Sequence, residues 1–162
     1  MPQIVIYSSN KKLKYISTLI AQRIEAEIVE IKDTKKRSGF FNNIKNNYNA
    51  LRLKSTEIEP QSIDFKEYDL VMLASPSTLG NPSPAILTLI ENSDFEGSKV
   101  IIYTTTESTN AKGVLKELKK RIEQKGGEII NTFIMYVNNK TDEELKITTL
   151  QVLSQLDIDL YI

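Results

Sequence analysis

The 162-residue sequence has no cysteine, no histidine and no tryptophan, and it contains only six glycines and five prolines. Without cysteine, the chain cannot form a disulfide, hold an iron–sulfur cluster through thiolates or use a thiolate nucleophile. Without histidine, it lacks the commonest metal ligand and the side chain that most often acts as a general base near neutral pH. We therefore predict neither a metal site nor a catalytic residue.

Charge and hydropathy exclude two further classes of partner. The chain has 21 basic and 21 acidic residues, whereas a nucleic-acid-binding surface needs a basic surplus on some face. No apolar run approaches transmembrane length, and the N-terminus enters a strand without a basic-then-apolar leader. We expect a cytoplasmic protein with no nucleic-acid or membrane partner, and one domain over residues 1–162.

The most informative stretch is residues 69–86, DLVMLASPSTLGNPSPAI. Its apolar run, Leu70–Ala74, does not alternate with polar residues, which is typical of a strand covered on both faces in a parallel sheet. Ser75-Pro76 ends this run, and Ser83 followed by Pro84 is a strong helix-start signal. The intervening loop is therefore predicted at the carboxyl end of a central strand, where open α/β sheets bind ligands.

Strand and helix patterns alternate along the rest of the chain and predict a doubly wound α/β sheet. Besides the central strand, four strands are predicted at Gln3–Tyr7, Glu27–Lys32, Lys99–Tyr103 and Glu128–Val137. Helices are predicted over about 12–25 and 84–91, through 114–122 before Gly126-Gly127, and after a capping box of Thr141 and Glu144. The stretch Thr104–Asn110 is expected to be a polar loop; the alternative is that Thr104–Thr106 only fray out of the preceding strand, because threonine favours strands.

Residues 33–61 are less regular, being rich in asparagine and lysine. We expect a loop around Gly39, a helix that carries Phe40, Phe41, Ile44, Tyr48 and Leu51 on one face, and an irregular stretch up to Pro60. Its basic residues Lys35, Lys36 and Arg37 form either a solvated surface or a site that attracts an anionic ligand or partner.

Three stretches together resemble the flavodoxin family, and the likeness runs almost end to end. IVIYSSNKKLKYIS stands where flavodoxins carry a phosphate loop of the type S-x-T-G-N-T, and RSGFFNNIKNNYNALRLKSTEIEP is similar to a stretch of short microbial flavodoxin-like proteins. DLVMLASPSTLGNPSPAIL is similar to their central motif, with Pro76, Gly80, Asn81, Ser83 and Pro84 in place. The resemblance implies a flavodoxin-like, five-stranded parallel sheet of order 2-1-3-4-5, with its ligand between the first and third strands.

The resemblance also implies a cofactor, FMN, bound without a covalent bond by three loops. The residues that it assigns to cofactor binding are Ser8, Ser9, Asn10, Lys11, Lys12, Leu13, Pro76, Ser77, Thr78, Leu79, Gly80, Asn81, Thr104, Thr105, Thr106 and Glu107.

Two features of this sequence depart from the family pattern. The usual T-G-N-T is replaced by Asn10-Lys11-Lys12-Leu13, so a backbone cradle that includes glycine gives way to two lysines that could pair with the phosphate as point charges. The aromatic residue that commonly stacks on the flavin is replaced by Thr78 or Leu79, depending on the alignment.

Three functions remain open for such a chain. The resemblance favours a flavodoxin-type electron carrier that serves redox partner proteins, with no catalytic residue of its own. The alternatives are a flavodoxin-fold interaction module without cofactor and a small FMN-dependent NAD(P)H:quinone-type reductase. Other α/β families fit less well, because the sequence lacks G-x-G-x-x-G and G-x-x-x-x-G-K-[ST]. A receiver domain would need an aspartate where Ala74-Ser75-Pro76 stands. The oligomeric state is left open.

Overall fold

A computed structural model describes residues 3–8, 10–34, 57–108 and 110–162. The strands are β1 (Gln3–Ser8), β2 (Glu27–Asp33), β3 (Ile58–Glu59), β4 (Leu70–Pro76), β5 (Lys99–Thr106) and β6 (Glu128–Tyr136). The helices are α1 (Lys11–Arg23), α2 (Pro84–Asn92), α3 (Lys112–Gln124) and α4 (Asp142–Gln155), with short 3-10 turns at Phe65–Glu67 and Ile158–Leu160. Within these ranges, none of the helices has the length and apolar character that crossing a membrane requires.

The strands form one sheet in the order β3-β2-β1-β4-β5-β6. Every pair is parallel except β2 with β3, in which Lys32 pairs with Glu59 and Asp33 with Ile58. The predicted α/β class is confirmed, but the five-stranded, all-parallel sheet is corrected to six strands with an antiparallel edge. A two-residue strand is too short to show a periodicity, so its stretch was predicted to be irregular.

Two apolar layers enclose the sheet. Helices α1 and α4 pack on one face through residues such as Ile16, Ile20 and Leu145, and helices α2 and α3 pack on the other through Ile86, Leu118 and similar residues. Strand β4 lies between the layers, and its residues from Leu70 to Ala74 are all fully buried. This confirms the prediction of a central strand that is covered on both faces.

The end of strand β5 differs from the prediction. Thr104, Thr105 and Thr106 were expected in a polar loop, but they continue the strand and pair with Ile134, Met135 and Tyr136 of β6. All three threonines are buried. Threonine is β-branched and fits a pleated strand well, so its polarity did not mark the strand end here.

Two helix boundary signals behave as expected. In the capping box of α4, the Glu144 N–H donates to Thr141 Oγ1 at 3.2 Å and the Thr141 N–H donates to Glu144 Oε2 at 2.7 Å. Helix α3 ends at Gln124, and Gly126 then adopts a φ of 86° that favours glycine. The helix that was predicted through Phe40–Leu51 lies outside the described residues.

Val71→Asp should prevent folding, because the new carboxylate would be desolvated at the centre of the sheet without a partner. The matched control is Leu160→Asp at a side chain that is 78 % exposed, and it should leave the unfolding midpoint nearly unchanged. Circular dichroism and urea denaturation of both variants test this. A Val71→Asp protein that unfolded like the parent would contradict the central position of β4.

Candidate functional site

A cleft of about 620 Å³ lies at the carboxyl edge of the sheet, and this volume is typical of small-molecule sites. It is formed by the start of α1, the loop after β4, the segment that ends β5 and the residue that follows β6. The lining residues are Asn10, Lys11, Lys12, Pro76, Ser77, Leu79, Gly80, Thr105, Thr106, Glu107, Ser108, Asn110 and Val137.

One buried hydroxyl fixes both ends of the loop between β4 and α2. The Ser83 N–H, at the start of α2, donates to Ser75 Oγ at 2.7 Å, and Ser75 Oγ donates to the Pro76 carbonyl at 2.9 Å. Ser83 is the N-cap residue as predicted, but its own side chain makes no cap bond. The strand end and the helix start are thus joined through Ser75, and the loop between them has a fixed span.

The tip of this loop is a tight turn. The Thr78 N–H donates to the Asn81 carbonyl, and the Asn81 N–H donates to the Thr78 carbonyl, both at 3.0 Å. Leu79 and Gly80, between them, have positive φ values of 51° and 76°, as type I′ turns require. Leu79 is 64 % exposed and lines the cleft, whereas Thr78 does not. Leu79 therefore presents an exposed apolar side chain to the cleft.

The turn is held against the loop that follows β5. Ser77 Oγ donates to the Asn110 carbonyl at 3.1 Å. A Cβ added to Gly80 would lie only 2.8 Å from Asn110 Nδ2. The φ of position 80 favours glycine, and a Cβ there would also have to displace the side-chain amide of Asn110.

The third wall of the cleft is the start of α1. Asn10 caps this helix, since its Oδ1 accepts the Leu13 N–H at 3.1 Å. Lys12 Nζ donates to the Val137 carbonyl at 2.6 Å, and Lys11 is exposed at the cleft. An ammonium group has three donors, so Lys12 could hold Val137 and an anion together.

Charge at this edge favours an anion near α1. Helices α1, α2 and α3 have no acidic residue in their first turns, whereas the first turn of α4 contains Asp142, Glu143 and Glu144. Helix N-termini carry positive partial charge, and at α1 this adds to the charges of the two lysines. Glu107 is the acidic residue among the cleft-lining residues in the described ranges, and it follows β5.

Below the cleft, the sheet presents a row of side chains on the face that helices α1 and α4 cover. Tyr7, Ala74, Tyr103 and Phe133 are neighbours in register, and the rings of Tyr103 and Phe133 stack with centroids 4.8 Å apart. The hydroxyls of Tyr103 and Ser17 share a hydrogen bond of 2.8 Å. Burial raises the pKa of Tyr103, so its hydroxyl stays protonated and neutral under the cleft.

The structure brings together most of the predicted site residues, but not all of them. Ten line the cleft: Asn10, Lys11, Lys12, Pro76, Ser77, Leu79, Gly80, Thr105, Thr106 and Glu107. Five others lie outside the lining, and their contact with a cofactor stays a prediction: Ser8, Leu13, Thr78, Asn81 and Thr104. Ser9 lies outside the described residues. Ser8 Oγ is buried and has no hydrogen-bond partner among the described residues.

Three lining residues were not among those predicted: Ser108, Asn110 and Val137. Ser108 and Asn110 belong to the polar stretch between β5 and the start of α3 at Lys112. Extending the predicted site along this whole stretch would have included them. Val137 follows the last parallel strand, and carboxyl ends of neighbouring parallel strands meet at one edge. In the described ranges, no group of three or more carboxylates could hold a metal ion.

Comparisons with solved structures agree on the fold. No protein-family model and no curated protein sequence matches the chain. A structure from Bacteroides eggerthii assigned as a flavoprotein has 16% identity and a TM-score of 0.72, covering 94% of this chain and 98% of that one. A Lactobacillus acidophilus flavoprotein in complex with FMN has 21% identity and a TM-score of 0.68, covering 82% and 92%.

A third similar structure is oxidised flavodoxin 1 from Bacillus cereus. Its sequence identity is 11% and its TM-score is 0.53, with 95% of this chain and 98% of that chain covered. The chain therefore has a flavodoxin-like fold: a parallel sheet between two helical layers, with one antiparallel edge strand.

Gly80→Ala should destabilise the protein more than Gly97→Ala. The two glycines have φ values of 76° and 77°, but a Cβ on Gly97 would meet no atom within 4 Å. Both variants should lose about 1–2 kcal/mol through backbone strain, and only Gly80→Ala adds the clash with Asn110. Urea denaturation should show that Asn110→Ala recovers this excess in the Gly80→Ala background. Equal losses would mean that the space beside Asn110 is not limiting.

Ser75→Ala should lower the free energy of unfolding by about 1–3 kcal/mol, because it leaves the Ser83 N–H without an acceptor. Ser98 is the matched control, since its hydroxyl is also buried but has no hydrogen-bond partner among the described residues. Ser98→Ala should cost nothing measurable. The same loss in both variants would show that removing any buried hydroxyl, rather than the bond to Ser83, causes the effect.

Proposed function

We propose that this flavodoxin-fold chain binds FMN in the cleft and carries electrons between redox partner proteins. The observation that carries the proposal is the position of the cleft, which lies where the carboxyl ends of β1 and β4 meet and is bounded by Lys11 and Lys12. Ligands of open α/β sheets bind at this kind of position. The FMN complex of the similar Lactobacillus acidophilus flavoprotein supports the choice of ligand.

The residues of the cleft fit the phosphate of FMN. The N-terminus of α1 offers the backbone N–H groups of Lys11 and Lys12, since the Leu13 N–H is used by the Asn10 cap. The ammonium groups of the two lysines would supply the charge that a glycine-rich phosphate loop obtains from its backbone. Lys12 would bind the phosphate while its ammonium group also donates to the Val137 carbonyl.

The residues at the other end of the cleft fit a flat ring. Leu79 would pack against it from the turn, and Thr105 and Thr106 would border it from the end of β5. A leucine gives burial without the extra stabilisation of about 0.5–1.5 kcal/mol that aromatic stacking adds. The Gly80 turn and Asn110, held together by Ser77, would keep these contacts in place.

The cofactor supplies the redox chemistry, because its isoalloxazine ring can take up two electrons and two protons and return them to an acceptor. The protein would set where the ring lies and how much water reaches it. Glu107 places a negative charge at the cleft, which would oppose the build-up of negative charge on a reduced ligand. The site holds no histidine or cysteine, so its part in the chemistry would be binding and electrostatics.

A reductase with its own substrate would use the same cleft, and NAD(P)H oxidation in the presence of a quinone separates it from a carrier. A cofactor-free interaction module would have the same fold but no visible absorption after incubation with FMN and removal of free ligand. These two measurements assign one of the three functions.

FMN binding should weaken about tenfold or more in Lys11→Ala and in Lys12→Ala, because a hydrogen bond to a charged group contributes about 1.5–3 kcal/mol. Added salt should weaken it as well. Riboflavin, which lacks the phosphate, should bind both variants and the parent alike. Titration monitored by flavin fluorescence measures all of these affinities.

The control is Lys140→Ala with Lys146→Ala, two exposed lysines near the start of α4. It should bind FMN like the parent. Equal losses of affinity for FMN and riboflavin in the Lys11 and Lys12 variants would show that the phosphate does not bind at the start of α1. A parent protein that took up no FMN would refute the proposal and favour the cofactor-free module.

A further inference from the structure

Helix α3 presents four lysines to solvent: Lys112, Lys116, Lys119 and Lys120. We call this surface the lysine face. Lys119 makes a long, exposed ion pair with Glu123, in which the two charged groups are 3.8 Å apart. The other three lysines form no ion pair with any residue in the part of the chain that the structure describes.

Three of the four lysines in the lysine face do not stabilise their own helix. Lys112, Lys116 and Lys120 follow each other at four-residue spacing, which places like charges next to one another and destabilises a helix. Lys112 also lies in the first turn, where the helix dipole disfavours a cation. The N-cap residue, Ala111, makes no side-chain bond to the exposed N–H groups. Local choices that work against a helix are expected where a surface has a function.

The lysine face begins at the rim of the cleft. Helix α3 starts two residues after Asn110, a lining residue, and a Cβ on Gly113 would lie 3.3 Å from the Gly80 carbonyl oxygen. From Lys112 to Lys120 the row of lysines runs about 12 Å along the helix, at 1.5 Å per residue. A molecule bound to this row would therefore lie beside the cleft.

The lysine face is locally positive although the formal net charge of the molecule is zero. Helix α3 contains five basic residues, the four lysines and Arg121, against two acidic ones, Glu117 and Glu123. A local positive surplus orients an approaching acidic molecule towards α3 and raises the rate of productive encounters.

We propose that the lysine face of α3 binds an acidic surface of a partner protein and holds it beside the cleft. That this partner is a redox protein rests on the proposed function, whereas the binding itself does not. Glu117 and Glu123 lie on the same helix and would repel the continuous phosphates of a nucleic acid, whereas a protein can place its own basic residues opposite them. Contacts of this kind are weak and salt-dependent, which suits a carrier that must release its partner.

The test uses an acidic plant-type [2Fe–2S] ferredoxin as probe and the isotope-labelled full chain. Amide chemical shifts should change in residues 112–124 at an ionic strength of about 20 mM, and binding should weaken at least tenfold at about 200 mM. Lys116→Glu with Lys120→Glu should lose binding at least tenfold. The matched control is Lys140→Glu with Lys146→Glu, which changes the net charge by the same amount and should bind within twofold of the parent.

Several outcomes would overturn the proposal: no ferredoxin binding, shifts centred on α4, or equal losses in the two double variants. Tighter binding of a short DNA duplex by the same lysines would assign the surface to nucleic acid instead. Shifts of 112–124 that depend on protein concentration without ferredoxin would assign it to a second copy of this chain. FMN uptake is measured separately by visible absorption, and the ferredoxin titration needs no flavin, so either proposal can fail alone.

Discussion

The hydrogen bond from the Ser83 N–H to Ser75 Oγ is the contact on which the architecture of the cleft depends. Strand β4 is buried on both faces, so the polar groups at its end need hydrogen-bond partners within the protein. Ser75 meets this need with one hydroxyl, which accepts from the helix start and donates to the Pro76 carbonyl. The loop between these points then projects as a tight turn whose tip lies at the cleft.

The turn and the helix N-termini around it contribute different properties to the site. The turn supplies shape, since Gly80 fits closely against Asn110 and directs Leu79 into the cleft. The start of α1 supplies positive charge, with two lysines and the helix dipole acting in the same direction. Helix α3 continues that positive charge outward from the rim. The neighbourhood of the site therefore carries positive charge that the formal net charge of zero does not reveal.

Much of this arrangement could be predicted from sequence, because its signals are local. The unbroken run Leu70–Ala74, the capping box of Thr141 and Glu144, and the spacing from Pro76 to Pro84 each act within a few residues. What was missed depends on pairing over distance. Strand β3 exists only because β2 offers an edge to two residues, and Thr104–Thr106 join a strand because β6 lies beside them. The contribution of Val137 to the cleft follows in the same way from the sheet, and not from its own residue type.

The bond between Lys12 and Val137 has a consequence for the far end of the chain. Val137 lies between β6 and α4. The ammonium group of Lys12, which is available to an anion, therefore also stabilises the last strand–helix unit. A ligand that immobilises Lys12 would reduce the local opening of this unit, and the folding equilibrium of the C-terminal region would be linked to occupancy of the cleft. Slower hydrogen exchange around Val137 would then indicate that a ligand is bound to Lys12 in the cleft.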